Sequence, residues 1–557
     1  METTTDPALA AQLAAQKVIA GLTGPGAPFE MAPAEVLGTE VPVFVNRHRA
    51  LHEIVARSVE QGDRTYLVTR EETISFAEHA RRVSSIAQAL REDYGIEKGD
   101  RVAIASANNV GWIQAFWATV SIGAIAVGYN AWWSPREIEY GLEHATPKLV
   151  FADTKRLAQL AELDVDIPVL DVDADVKRLA TAYPDAPLPS ADVAEDDPAV
   201  ILYTSGTSGR PKGAVHSQRN LASVAAFLGY TGALSAAFGD PVPPQDKVHL
   251  MAMPLFHIGS LHNIAVACLS IGSTVAIHLG AFEPGAVLKL VQDARVTNWG
   301  AVPTMANRLL NFEGINDYDT SSLAAFSLAS APSSPQFKQQ LREKLPFASA
   351  LVDSYGMTET CTAIAVATPM DLAESPGTLG RPNIGVEVEV RDATGAVLPV
   401  GEEGEIYTRS AYAMLGYWNN PEATAAAFTE DRWLRTGDLG SMDEQGRIRL
   451  SSRRSDLIIR GGENVYPAEV EAAISEHPDV AEVLVMGVAH SDLGQEVAAV
   501  VVGKPSANAD RAVFEQELRG HTAERLAHYK VPSVWRIAEQ PLPRNATGKV
   551  IRTAVSV

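Results

Sequence analysis

Short apolar runs recur along the chain, each closed by Gly, Asp, Asn or Pro. Arg101–Ala105, Ile125–Tyr129, Leu149–Ala152, Ala199–Tyr203, Val248–Met253, Thr274–Leu279 and Leu351–Ser354 have the length and punctuation of buried strands. Between several of them lie helical stretches: Phe76–Leu90, Ser134–His144 and Pro284–Ala294. Strands alternating with helices predict parallel-rich sheets covered on both faces, an α/β fold. The run from Asn108 to Pro135 carries no charge and is long enough to suggest a membrane span. Gln114, Thr119, Ser121, Gly123, Gly128 and Asn130 interrupt it, so the pattern predicts a buried helix, a glycine turn and a buried strand. Val120-Ser-Ile-Gly-Ala-Ile-Ala-Val is echoed by Leu269-Ser-Ile-Gly-Ser-Thr-Val-Ala, as two related α/β halves would produce.

After about Gly385 the texture changes. Val386–Val390, Glu405–Thr408 and Ile448–Ser451 are β segments separated by Gly turns, which predicts a smaller β subdomain. Past Arg453 a further unit follows: strand Asp456–Ile459, helix Pro467–His477, strands Glu482–Gly487 and Val497–Val502, helix Arg511–Leu526. About a hundred residues are enough for an independent α+β domain. The expected organisation is an N-terminal domain over 1–452, a hinge at 453–455 and a small mobile C-terminal domain over 456–557.

Composition narrows the class. With 557 residues, 46% hydrophobic and 20% charged, the chain can bury more than one core. The net charge of −22 is the wrong sign for a general nucleic-acid binder. Two cysteines, Cys268 and Cys361, exclude a disulfide scaffold and a Cys-rich metal site. The N-terminus lacks the basic start and apolar core of a signal peptide, so a soluble cytoplasmic protein without stable membrane insertion is expected.

The strongest chemical signal is residues 203–213, Tyr-Thr-Ser-Gly-Thr-Ser-Gly-Arg-Pro-Lys-Gly, directly after a predicted strand. Thr204, Ser205, Gly206 and Thr207 begin a run of Thr, Ser and Gly whose amides and hydroxyls can cradle phosphate, and Lys212 adds a mobile cation. The spacing is not that of a Walker loop, and Gly213 stands where a magnesium-binding hydroxyl would be needed.

This segment resembles the phosphate loop of the adenylate-forming superfamily, which includes acyl-CoA synthetases, peptide-synthetase adenylation domains and luciferases. Four further segments match in the family's order. Tyr355-Gly-Met-Thr-Glu359 resembles the magnesium and adenylate segment, and Thr436-Gly-Asp-Leu439 the ribose turn. The stretch 455–471 resembles the hinge and the segment after it, and Pro543-Arg-Asn-Ala-Thr-Gly-Lys549 the C-terminal catalytic loop. The resemblance covers roughly residues 50–557.

It implies ATP, with AMP as product, Mg2+ and coenzyme A as ligands. It also implies that a hydrophobic carboxylic acid attacks the α-phosphorus of ATP to give an acyl-AMP, which a thiol then opens. Lys549 would bridge carboxylate and α-phosphate. Glu359, with Thr204, would hold magnesium, and Thr358 would reach the α-phosphate. Asp438 would accept the ribose hydroxyls and Arg453 would lie near ribose and phosphate. Ser330, Ala331 and Pro332, with Asp353, Ser354 and Tyr355, would contact adenine, Tyr355 offering a flat face. Pro254-Leu-Phe-His-Ile-Gly-Ser260 would line the acyl pocket, with His257 either a general base on the thiol or a satisfied core histidine. Gly461, Gly462 and Glu463 would border the thiol tunnel after the small domain rotates.

Two positions depart from the family's usual residues: Ser455, two places after Arg453, and Ser452 just before it. Both sit at the expected hinge, so a shifted balance between adenylation and thioester formation is the expected anomaly. Competing readings are an enzyme specialised for the thioester half from a supplied acyl-AMP, an acyl-AMP ligase serving a carrier protein, luciferase-like oxidation, and a non-catalytic sensor. The stretches His257–Ala265 and Trp299–Pro303 carry no acidic or basic side chain to meet a second charged group on the acid, apart from the imidazoles of His257 and His262, which favours fatty, aryl, terpenoid or steroid-like acids. A homodimer is left open.

Overall fold

The structure is a computed structural model and describes residues 7–557 apart from 205–210, 330–332, 334, 454–455, 461–462, 491–492, 506, 508–509, 527 and 546–547. The predicted strands fall into two large sheets. One has seven strands in the order Gly416–Tyr417, Lys212–Ser217, Pro198–Thr204, Ile125–Tyr129, Arg101–Ala105, Leu149–Ala152, Val169–Asp171. The other has nine, in the order Arg381–Pro382, Ala363–Ala367, Leu351–Gly356, Ala325–Leu328, Asn298–Ala301, Val248–Met251, Thr274–Ile277, Thr65–Val68, Thr73–Ser75. The inner strands of both are parallel; antiparallel strands close both edges of the nine-stranded sheet and one edge of the seven-stranded sheet, whose other edge strand, Val169–Asp171, is parallel. This is the α/β class expected from the alternation of strands and helices.

The uncharged run resolves as predicted. Helix Val110–Ser121 is buried on every side, Gly123 turns at φ +80°, and strand Ile125–Tyr129 is buried throughout. The echo has the same form in the second sheet: helix Ala267–Ile271, Gly272 at φ +88°, strand Thr274–Ile277. Trp112, Phe116 and Trp117 on the first helix join the largest apolar cluster, which also includes Leu221 and Val224 of helix Gln218–Ala237.

A four-stranded antiparallel sheet follows: Val386–Arg391, Gly404–Ser410, Leu434–Met442 and Ile448–Arg453. The next strand, Ile458–Arg460, belongs to a different sheet with Glu463–Val465, Gly494–Gly503, Val480–His490 and Val534–Ala538. That last sheet has its own core of Ile458, Val470, Ile474, Val485, Val501, Phe514 and Leu518. The predicted helices there are slightly shorter than expected, Pro467–Ser475 and Arg511–Ala523. Helix Pro7–Thr23 and the hairpin Met31–Val36 with Thr39–Phe44 precede the first large sheet and had no sequence expectation.

Three histidines are fully buried: His79, His216 and His262. Burial pushes His79 down to about 3 and His262 to about 4, and His216 well below its usual value. Each is therefore neutral in the folded chain and gains a proton on unfolding below pH 6.5. Their contribution to stability is intact above pH 6.5 and is lost as pH falls toward 4, at about 1.4 kcal/mol per pH unit for each group. Thermal melts between pH 7 and 4.5 should show a steep fall in Tm, and replacing His79 with a neutral isostere such as Gln should flatten it.

Candidate active site

In parallel sheets, ligand-binding loops leave the carboxyl ends of the strands, where the backbone turns outward. That rule places the predicted motifs here. The expected phosphate loop leaves strand Pro198–Thr204, His257 follows Val248–Met251, Pro303 follows Asn298–Ala301, and Thr358 and Glu359 follow Leu351–Gly356.

The phosphate loop is the connection of a tight antiparallel pair in which Thr204 faces Lys212 and Tyr203 faces Gly213. The Thr204 hydroxyl donates to the Lys212 carbonyl at 3.4 Å. Ser205, Gly206 and Thr207 lie outside the described residues. Lys212 lies with its ammonium 5.1 Å from the centre of the Tyr417 ring. The Tyr417 hydroxyl in turn donates to Glu359 Oε1 at 2.7 Å. Tyr417 thus spans the phosphate loop and the acidic segment. It sits on a two-residue strand paired to Ala214 and Val215, with its backbone N–H held by Thr424 Oγ1 at 2.9 Å.

Glu359 is only 7% exposed and has no basic partner among the described residues. A buried carboxylate without a cation is costly, and a divalent ion would compensate it. Among the described residues no three His, Cys, Asp or Glu stand close enough to hold a metal alone. Magnesium at Glu359 therefore fits only when phosphate oxygens complete its shell. Thr358 and Glu359 belong to the turn Thr358–Thr360, and Cys361 ends it at φ +62°.

The expected nucleotide side is built from two strands that share a hydrogen bond. Tyr355 Oη donates to Asp438 Oδ2 at 2.8 Å, and both residues are buried. The Asp438 backbone N–H is held by Thr436 Oγ1 at 3.1 Å, and Asp438 pairs in register with Arg453. The Arg453 side chain lies outside the described residues, as do the Glu463 side chain and Ser330, Ala331, Pro332, Gly461, Gly462 and Ser455. Tyr355 packs with Ile364, Ile406 and Ile448, so part of its ring is already used by the protein.

Of the six expected adenine contacts, the three among the described residues separate. Asp353 turns away into a buried ion pair with Lys338 of helix Pro335–Lys344, although burial still raises its carboxyl pKa. The Ser354 hydroxyl donates to the Leu328 carbonyl at 3.3 Å. What this strand still offers a base is backbone and a Tyr355 ring already packed in part by the protein. The pocket-lining expectation also splits. Trp299 is not a lining residue: it is 1% exposed and packs with Phe326 and Phe347 in the core of the second sheet. Alternation along the strand points Gly300 the other way, where a Cβ would stand 3.7 Å from the Met253 methyl. Gly259 approaches the same methyl, at 3.0 Å from an added Cβ.

Lys549 comes from the last sheet's side of the chain, on a loop closed by its own bonds. Asn545 N–H donates to the Lys549 carbonyl at 2.8 Å, Lys549 N–H to Asn545 Oδ1 at 2.9 Å, and Gly548 N–H to the Asn545 carbonyl at 2.9 Å. Thr304 Oγ1 donates to the Gly548 carbonyl at 2.9 Å and anchors the loop against helix Pro303–Leu310. Arg544 donates to the same carbonyl at 2.8 Å and to Glu482 at 2.9 Å. Lys549 stands close enough to His257 for its charge to act on the imidazole. Burial first, and then Lys549, push His257 down to about 4. His257 Nε2 is buried without a hydrogen-bond partner.

Thr304 and Tyr417 are the two site residues without a sequence expectation. Tyr417 follows a glycine at φ +156°, and Gly416-Tyr417-Trp418 was a local signal for it. Thr304 directly follows the Trp299–Pro303 stretch but is marked by no chemistry of its own.

An α/β domain with a smaller C-terminal domain, a buried acidic turn and a C-terminal loop bearing Lys549 fit a nucleotide-dependent activating enzyme. The chain belongs to the AMP-binding enzyme family: the family model matches residues 55–418, and the model of the AMP-binding enzyme C-terminal domain matches 469–549. It is 34% identical over 491 residues to the 2-succinylbenzoate–CoA ligase of Bacillus licheniformis, covering 88% of this chain and 96% of that protein. It is 32% identical over 483 residues to the long-chain-fatty-acid–CoA ligase FadD13 of Mycobacterium tuberculosis, covering 86% and 90%. Among solved structures it resembles ATP-bound MatB from Rhodopseudomonas palustris, with a TM-score of 0.81, 32% identity and 90% and 97% coverage. It also resembles the o-succinylbenzoate CoA synthetase of Bacillus subtilis with its acyl-adenylate, with a TM-score of 0.77, 31% identity and 91% and 98% coverage.

Proposed function

We propose that the chain is an acyl-CoA ligase that activates a hydrophobic carboxylic acid with ATP and passes the acyl group through acyl-AMP to CoA. The observation that carries this reading is the approach of Lys549 to His257 across the two domains, on a loop anchored by Thr304. It puts a cation beside the segment that would hold the acid. Two anions must meet in the first step, and fixed positive charge lowers that barrier. Lys549 holds the carboxylate and α-phosphate together, and Lys212 attends the departing pyrophosphate. Magnesium, when bound at Glu359, supplies further charge neutralisation on the phosphates. Asp438 and Tyr355 hold the ribose end as a unit.

The second step needs Lys549 to leave and a thiol to arrive, which a rotation about 453–455 between domains 1–452 and 456–557 would achieve. With a pKa near 4, His257 is a weak base beside Lys549. Its unpartnered Nε2 is left for a hydrogen bond with a bound ligand, and the neutral ring does not compete for the lysine's role as a cation. Met253, Gly259 and Gly300 face one another without an ionisable group, which supports an apolar acid. Two buried free thiols, Cys268 and Cys361, suit a reducing cytoplasm. Among the described residues no helix is long and apolar enough to cross a membrane.

A panel of fatty, aryl, terpenoid and steroid-like acids, each given as free acid with ATP and as synthetic acyl-AMP, tests the reading. Thioester should form from both inputs for the same acid. Product from acyl-AMP alone would instead establish the thioester-only enzyme, and adenylate formation that never yields acyl-CoA would establish a carrier-protein ligase.

A further inference from the structure

We infer that His262 is a positioning residue for the magnesium and α-phosphate turn, acting through the strained backbone of Cys361. This rests on the proposed roles of Thr358 and Glu359. The turn Thr358–Thr360 ends at Cys361, whose φ of +62° is a conformation that L-residues other than Asn and Asp rarely adopt. Something must hold it there, because strained backbone persists only where its surroundings over-determine it.

Two adjacent side chains do so. His262 Nδ1 lies 3.2 Å from the Cys361 carbonyl and 3.2 Å from Cys361 Sγ. With the ring proton on Nδ1 the imidazole donates to this carbonyl, which can only accept. Asn263 Oδ1 accepts from the Thr362 hydroxyl at 2.7 Å. Consecutive side chains on an ordinary helix point about a hundred degrees apart. Here the segment Leu261–Val266 is wound as a π-helix, a local widening that recurs at functional sites. It brings neighbouring side chains onto neighbouring residues of the turn.

The His262 ring is itself fixed. His216, on the strand that follows the phosphate loop, packs edge-on against it with centroids 4.9 Å apart at 83°. Both imidazoles are fully buried and are held neutral by burial. A neutral, buried ring has no charge to bring to catalysis. Its geometry suits the orientation of a backbone. One π-turn thereby ties the strand after the phosphate loop to the turn that carries Glu359.

The test uses the full-length chain and two readouts. One is the half-saturating Mg2+ for binding a non-hydrolysable ATP analogue, by calorimetry. The other is pyrophosphate exchange with the acid that wild type uses best. His262→Leu removes the donor at similar volume. It should weaken Mg2+ about tenfold and slow exchange between tenfold and a hundredfold, the scale expected from a turn displaced by about an ångström. His262→Asn places an amide N–H near the Nδ1 position and should stay within about twofold of wild type. Adding Cys361→Gly to His262→Leu should restore most of the loss, because glycine adopts positive φ without strain. If His262→Leu does not fold, His262→Gln, whose donor reaches past that position, takes its place with the same expected loss. Unchanged Mg2+ dependence in His262→Leu, or equal impairment in His262→Asn, overturns the inference, provided that Glu359→Gln weakens Mg2+. If Glu359→Gln also leaves Mg2+ unchanged, the reading of the turn itself is overturned.

Discussion

Lys549→Ala should abolish adenylation and leave the second half-reaction nearly intact. Pyrophosphate exchange should fall at least 10²–10³-fold, the scale seen when one preorganised group that stabilises developing charge is removed. Thioester formation from synthetic acyl-AMP and CoA should stay within a few-fold of wild type. The asymmetry follows from geometry. Lys549 sits on a loop closed by Asn545 and docked on Thr304, beside His257, so its ammonium belongs to the arrangement in which carboxylate and phosphate meet. Once acyl-AMP exists, that encounter is over. Equal loss of both halves would mean that the lysine serves binding or folding rather than the first step.

Gly548→Ala should produce a similar split by a different cause. Gly548 has φ +78°, where a side chain is strained, and an added Cβ would stand 2.5 Å from Thr304 Oγ1 and 2.9 Å from Thr304 Cβ. Those contacts are too close to exist, so the loop cannot dock as it does here. The same alanine is not in contact with Thr304 once the loop has left. Adenylation should fall roughly 10–100-fold, corresponding to about 1.4–2.7 kcal/mol at the first barrier. The thioester half should change little. Pairing it with Thr304→Gly should recover part of the rate by removing the collision, while the positive φ keeps recovery incomplete. Full adenylation activity in Gly548→Ala would show that the docked loop is not the one that performs the first step.

Local pattern made much of this molecule legible. The buried helix, glycine turn and strand from Val110 to Tyr129 followed from the lack of charge and the placement of Gly123, because those constraints act within a few residues. Lys549, Glu359 and Asp438 stood out because each lies inside one of several motifs in a fixed order. What escaped depends on contacts between distant segments. Trp299 shares an uncharged stretch with Gly300, yet strand alternation sends one to the core and the other toward Met253. Asp353 carries a nucleotide-like signal but is claimed by Lys338, fifteen positions away on a helix that the sequence did not associate with it. Tyr417 and Thr304 matter only because folding places them against Glu359 and Gly548, 58 and 244 residues distant in the chain. The winding of Leu261–Val266 into a π-helix leaves no mark in residue type.

Passage through acyl-AMP is tested most directly by the fate of the acid's oxygen. An acid labelled with 18O in both carboxylate oxygens should be converted by ATP and CoA in a single turnover, with AMP, pyrophosphate and thioester analysed by mass. Attack of the carboxylate on the α-phosphorus predicts one labelled oxygen in AMP, one in the thioester carbonyl and none in pyrophosphate. Label in pyrophosphate, or unlabelled AMP beside a thioester, would contradict passage through acyl-AMP.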